Sequence, residues 1–315
     1  VAHLLESMFF RHETPWHGLG VKIEEAPSTE QAIVLAGLNW EVGKKTLVTQ
    51  DDQQVVPAFA TYRKADNKVL GVVGPKYEPL QNRDAFAWFN LLVESGDVSL
   101  ETAGSLKEGK RVWVLAAINR DPIEVAKDDI VKKYILLSNS HDGTLSVRLG
   151  FSPIRVVCNN TLTLAESDKA GSELIRVRHS KRTSETLEKL REVINVADRQ
   201  FQATADQCYK LLANTQINAE DLRKYIKLVM EMPMDKPLSK PATQTVELIE
   251  ELFQAGRGND LPGVKGSYWA AYNAITENLS YFRGRNQDSR LDSLWFGDGA
   301  QINRSALAIA ARMAA

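Results

Sequence analysis

The hydrophobic pattern changes period partway along the chain, and this change restricts the fold more than any single residue does. Through Phe151 the apolar residues come in short runs bounded by turn-forming residues, and from Thr183 they recur at three- and four-residue spacing. Period two belongs to half-buried strands, and three-four spacing belongs to amphipathic helices. The chain therefore reads as α+β. Residues 1–170 form an antiparallel β-sheet lobe with helices and an N-terminal docking segment, and residues 171–315 form a helical lobe packed on it.

In the first half, "NWEVGKKTLVT", "VVPAFATYRK" and "NKVLGVVG" carry β-branched and aromatic residues, with turns at Asp51-Asp52 and Ala65-Asp66-Asn67. They predict a meander. A helix is expected over 82–94, because Ala85, Phe86, Phe89, Leu92 and Val93 make an apolar stripe at helical spacing. A second group of strands follows: "VSLETAGSL", "KRVWVLAAI", "KKYILLSNS" and "TLSVRLGF". Asp142-Gly143 is a strong short hairpin signal between the last two. In "TLSVRL", alternation turns Leu145, Val147 and Leu149 toward the core and Thr144, Ser146 and Arg148 outward. "VWVLAAI" is apolar on both sides and predicts a central strand, while the outward polar positions elsewhere leave one side of the sheet partly open.

In the second half Leu187, Leu190, Ile194, Ala197 and Phe201 keep the helical rhythm, and "NTQINAEDL" supplies a break and a new helix start. "ATQTVELIEELFQA", "SYWAAYNAITENLSYF" and "GAQINRSALAIAARM" read as further helices. "GRGNDLPG" is a loop that lacks both the Gly-Lys-Ser/Thr ending of a phosphate-binding loop and a preceding strand.

A formal net charge of -1, from 39 basic and 40 acidic residues, gives no global field toward polyanions, so any such site must be a local patch. Cys158 and Cys208 form neither a disulfide framework nor a zinc pattern, and His12 and His17 do not have metal-chelating spacing. No cofactor or metal is expected. No apolar run approaches the twenty or so residues of a membrane span, and no basic-then-apolar leader opens the chain. The expectation is a protein of a bacterial cytoplasm with no membrane contact.

Two basic groups stand out locally. Lys107, Lys110, Arg111, Lys132, Lys133, Arg148 and Arg155 fall at strand ends or outward positions. "RVRHSKR" adds Arg176, Arg178, His179, Lys181 and Arg182 without an acidic neighbour. Together they could wall a groove for the phosphates of a single strand, with Tyr134 or Trp113 as stacking platforms. The ordinary alternative is a solvated face, since charges at strand ends also guard against aggregation. Arg283 and Arg285 in "YFRGR" are a second, weaker set of phosphate contacts.

Cys158 in "FSPIRVVCNNTL" admits two readings. It is a small buried residue, with Asn159 and Asn160 capping a helix that starts at Thr161. Alternatively it is a nucleophile with His141 as base and an asparagine orienting it. "TPWHGLG" is read as a docking segment. Pro15 stiffens it, Trp16 is an amphipathic plug beside His17, and Gly18 and Gly20 let the backbone turn or lie close to a surface. A tryptophan plug needs a pocket, which a neighbouring copy can supply, so a homo-oligomer is expected.

"PWHGLG" at 15–20, "GPKYEPLQN" at 74–82, "FSPIRVVCNNTL" at 151–162 and "YWAAYNAITENLSYFRG" followed by "RLDSLWFGDG" together resemble a phage- and plasmid-borne family. That family is called phage/plasmid-like protein and carries a domain of unknown function. The resemblance implies a mobile-element setting and no defined chemistry. The order helix, antiparallel hairpin sheet, helix entered from the last strand is also similar to the core of Erf, RecT and Redβ single-strand annealing proteins. That similarity implies a non-enzymatic protein that binds single-stranded DNA and promotes annealing or recombination as an oligomer; the alternatives are a cysteine-dependent enzyme centred on Cys158 and a host-interaction or anti-defence protein without catalytic activity.

Overall fold

The computed structural model describes residues 5–11, 20–155, 160–161, 175–177, 195, 198–199, 201–284, 290, 293–294 and 297–315. The chain opens with β1 (Leu5–Arg11), β2 (Val21–Ile23), α1 (Thr29–Leu35), β3 (Val42–Val48), β4 (Val55–Arg63) and β5 (Val69–Val73). It continues with α2 (Asn82–Ala87), α3 (Asn90–Glu94), β6 (Val98–Leu106), β7 (Arg111–Ile118), β8 (Ile123–Ala126), β9 (Asp129–Ser140) and β10 (Val147–Arg155). Short strands β11 (Asn160–Thr161) and β12 (Ile175–Val177) follow. A π-helical turn at Ala205–Tyr209 leads into α4 (Lys210–Asn214), then α5 (Ala219–Val229), α6 (Lys240–Ala255) and α7 (Tyr268–Glu277). A second π-helical turn, Asn278–Phe282, and α8 (Asp298–Ala314) complete the described elements. This is the mixed α+β class expected from the change of period.

The chain divides into two compact units. The first comprises Val1–Arg120, Tyr134–Phe151 and Glu173–Asn195; the second comprises Asp121–Lys133, Ser152–Ser172 and Val196–Ala315.

In the first unit the main sheet runs β12-β10-β9-β7-β6-β1-β2. The pairs β1–β6, β6–β7, β7–β9 and β10–β12 are antiparallel, and β1–β2 is parallel. The central position of β7 agrees with its apolar run. Phe9, Leu100, Val112, Val114, Ile135, Leu137, Val147 and Leu149 form one core with Ala32, Ile33, Phe86, Phe89 and Leu92 from α1–α3. The expected meander is a separate sheet, β3-β4-β5.

Several expectations change here. The opposite face of the main sheet is not open: Met8, Phe10, Trp113, Leu115 and Leu136 are all buried. Leu5–Arg11 is a strand, held against β6, where no regular element was expected before "PWHGLG". The single helix expected over 82–94 is two, because Phe89 N–H reaches Phe86 O (2.9 Å), three residues back, which turns Phe86 and Phe89 together into the core. Leu145 precedes β10, and its N–H (2.9 Å) and C=O (3.1 Å) both bond the Ser140 hydroxyl, so the "HDG" connection is a 141–146 loop.

In the second unit β8 pairs with the start of β9, and β11 pairs with the end of β10. Thr161, expected as the first residue of a helix, is instead in strand β11, opposite Ile154. The remaining residues of the expected "CNNTLTLA" helix, 158–159 and 162–165, lie outside the described residues. The helices start where short polar caps place them: Asn218, Ser239 and Ser267 side chains accept from the backbone N–H three residues on. Every residue of α7 is buried. Leu187, Leu190, Ile194 and Ala197 lie outside the described residues.

Candidate nucleic-acid interface

The β6–β7 turn carries three cations in five residues. Lys107 and Glu108 both adopt left-handed backbone (φ 53 and 59), followed by Gly109 (φ 85). Lys110 N–H closes the turn on Lys107 O (3.2 Å). Left-handed lysine and glutamate cost on the order of 1 kcal/mol each, and such costs collect at functional sites. Charge adds to the strain. Burial, then the neighbouring Arg111, then Lys110, hold the Lys107 ammonium below its ordinary pKa, with Asp142 opposing. Burial likewise lowers Arg111, again against Asp142. The acid within the turn, Glu108, is engaged by Lys68 at 3.1 Å.

The β9–β10 connection braces this turn. Arg111 is the register partner of Ser140, and the next residue, His141, donates its N–H to Lys110 O (2.8 Å). His141 is fully buried, its carbonyl accepting from Thr61 Oγ1 (2.6 Å) and its ring 5.4 Å from Trp40 in an edge contact. Its Nε2 lies 2.9 Å from Asn82 Oδ1. Because Asn82 Nδ2 donates to Leu38 O (3.0 Å), Oδ1 is the acceptor and His141 Nε2 carries the proton. Tyr77 adds a bond from its hydroxyl to Ser140 O (2.8 Å). A histidine so enclosed holds the loop in place.

Arg148, the second residue of β10, lies at this same end of the sheet. Its register partner on β12 is Arg176. Arg111, Tyr134 and Arg148 are each one residue out of phase with core residues of their strands, which puts them on the face away from α1–α3, but Tyr134 is opposite Ala117, at the far end of the β7–β9 pairing from Arg111 and Ser140.

The other predicted contacts divide. Lys132 is exposed in the second unit; neither it nor Lys110 enters an ion pair among the described residues. Lys133 is buried, 2.6 Å from Asp198 and over the Phe201 ring. Arg155 is completely buried with both Asp129 oxygens (2.7 and 2.8 Å) and donates to Arg257 O, Gly258 O and Asn259 Oδ1. Both placements correct the sequence expectation: buried, neutralised cations hold the second unit together and offer nothing to a phosphate. Trp113 is 1% exposed, which removes it as a stacking platform. Tyr134 is partly buried, its hydroxyl pushed up to about 12 by burial and by Glu101.

Pro15, Trp16, His17, Gly18, Cys158, Arg178, Lys181 and Arg182 lie outside the described residues. Gly20 is described: at φ 105, an added Cβ would stand 2.6 Å from Met8 Cγ, so Gly20 itself lies close against β1. Among the described residues no group of three or more His, Cys, Asp or Glu could hold a metal ion, and no helix is long and apolar enough to cross a membrane. Asp142 is the member of the site that sequence reading passed over. It looked like a turn residue, although the "DGT" pattern marks a carboxylate held in place by its own loop.

Residues 69–295 match the family described as Domain of unknown function (DUF932). No curated protein and no solved structure matches the chain.

Proposed function

The chain belongs to the DUF932 family, and we propose that its first unit binds single-stranded nucleic acid through phosphates held at the β6–β7 turn and the adjoining end of β10. The observation that carries this is the crowding of Lys107, Lys110 and Arg111 in and beside one strained turn, with Arg148 at the same end of the sheet. A turn with only a structural role would avoid left-handed lysine and mutual repulsion. Strained backbone and crowded like charges in one segment are features that gather at binding sites.

The chemistry is electrostatic. Phosphate contacts position a strand and carry no sequence information, so the proposed mode is sequence-tolerant. A role in annealing or recombination, as an oligomer, follows from the mobile-element setting that the phage/plasmid-like motifs imply.

Anisotropy of a labelled single-stranded oligonucleotide, titrated across salt, tests the proposal. Each phosphate contact contributes about 0.7 to the slope of log K against log salt for single strands. The K110Q/R111Q variant should bind more weakly and lower the slope by about 1.4. Absent binding, or binding indifferent to salt, overturns it.

A further inference from the structure

We infer that the Asp142 carboxylate is a resident counter-anion of the Lys107–Lys110–Arg111 corner, standing in the field that an incoming phosphate would use and so setting the threshold for binding one. This rests on the proposed nucleic-acid reading and names the regulation of that same site.

Backbone bonds fix where Asp142 stands. With Arg111 paired to Ser140 and His141 N–H on Lys110 O (2.8 Å), the chain reaches Asp142 directly beside the basic turn. Its Oδ1 accepts from Thr144 N (2.9 Å) and from Thr144 Oγ1 (2.6 Å), which pins the carboxylate within its own loop. Strand β5 closes the other side. A Cβ on Gly71 would stand 2.5 Å from Asp142 Cα, and one on Gly143 would stand 3.0 Å from Val73 Cγ1. The loop thus lies against β5 with no room for a larger residue at Gly71.

The field of this acid is felt at Lys107 and Arg111, which it favours in their charged forms, and at Tyr77, which it disfavours. An acid anchored by Thr144 cannot swing aside cheaply when a ligand arrives. A lone phosphate gains only what three cations offer beyond the attraction already spent on Asp142. A strand that also reaches Arg148 offsets that loss through further contacts. The arrangement therefore favours extended polyanions over small ones, and inorganic phosphate should be a poor competitor.

The test uses the full chain and the D142N variant. Asparagine retains the Oδ1 acceptor for Thr144 and removes only the charge; D142S, which also accepts from the Thr144 N–H, serves if D142N loses its native circular dichroism. At low salt the oligonucleotide Kd should fall on the order of three- to tenfold, and less at high salt, where screening removes the difference. Inorganic phosphate should compete more effectively against the variant than against the parent. A parent that binds and a folded variant with equal or weaker affinity overturn this inference and leave the nucleic-acid reading standing. A parent that does not bind overturns the nucleic-acid reading and this inference with it. Failure of both proteins to bind overturns both.

Discussion

Replacing Arg155 by methionine removes a guanidinium with no exposed surface and five polar contacts: two to Asp129, and one each to Arg257 O, Gly258 O and Asn259 Oδ1. Asp129, itself buried, then keeps the Trp269 indole N–H (2.7 Å) as its remaining side-chain donor among these bonds. Removing one member of a buried pair strands the other charge, which costs about 3–5 kcal/mol. Against a domain stability of about 5–15 kcal/mol, that is a fifth or more of the total. The 257–259 loop loses its three anchors in the same step. Urea unfolding followed by tryptophan fluorescence measures the loss, since Trp269 packs on Tyr209 at 4.9 Å and reports its surroundings. D129N/R155M removes the stranded charge along with its partner, so it should recover about 2 kcal/mol or more of what R155M loses. The folded fraction of either variant should bind oligonucleotide as the parent does. An R155M loss below about 1 kcal/mol, or a double variant no more stable than R155M, would refute the assignment of Arg155 as a structural keystone.

Further expectations follow from single residues. K107G relieves a left-handed φ of 53 and removes a cation from the crowded turn, so it should unfold at equal or higher denaturant while binding oligonucleotide more weakly. Glu277 is buried and its pKa is raised, chiefly by desolvation, so between its ordinary 4.5 and the raised value the folded state holds more protons than the unfolded. Stability contributed by protonated Glu277 is therefore lost as pH rises through that window, and E277Q should flatten the decline in thermal melts at stepped pH. Burial pushes the Cys208 thiol up to about 11, so peptide mass mapping after brief treatment with a thiol reagent at neutral pH should find Cys208 unmodified in the folded protein. In G104A the new Cβ would stand 2.3 Å from Ser7 O and 2.7 Å from Trp113 Cη2, and overpacking of this kind should cost about 1–3 kcal/mol in denaturant unfolding.

What could be read from the sequence was what neighbours along the chain decide. The β3-β4-β5 meander follows from alternation and from turn residues such as Asn67, which takes the left-handed φ of 59 that asparagine tolerates. The starts of α5, α6 and α7 follow from Asn218, Ser239 and Ser267, whose side chains bond N–H groups three residues on. The break inside 82–94 is different in kind. The stripe of apolar residues was correctly read, but the three-residue bond at Phe89 depends on the sheet beneath it, which periodicity does not encode.

The same distinction sorts the cations. Arg155 looked outward because strand alternation says nothing about an aspartate 26 residues before it or a loop beginning 102 residues after it. Lys133 depends on Asp198, 65 residues on. A basic residue announces its charge locally, whereas the carboxylate that neutralises it can lie anywhere in the chain, so a tally of lysines and arginines overstates a binding surface. Repulsion between neighbours is local on both sides of the ledger. Lys107, Lys110 and Arg111 sit within five residues, so their proximity is fixed by sequence and by the turn alone. Cations that persist in costly proximity to other cations carry more weight than exposed cations in general, and in the first unit they converge on the corner where Asp142 stands.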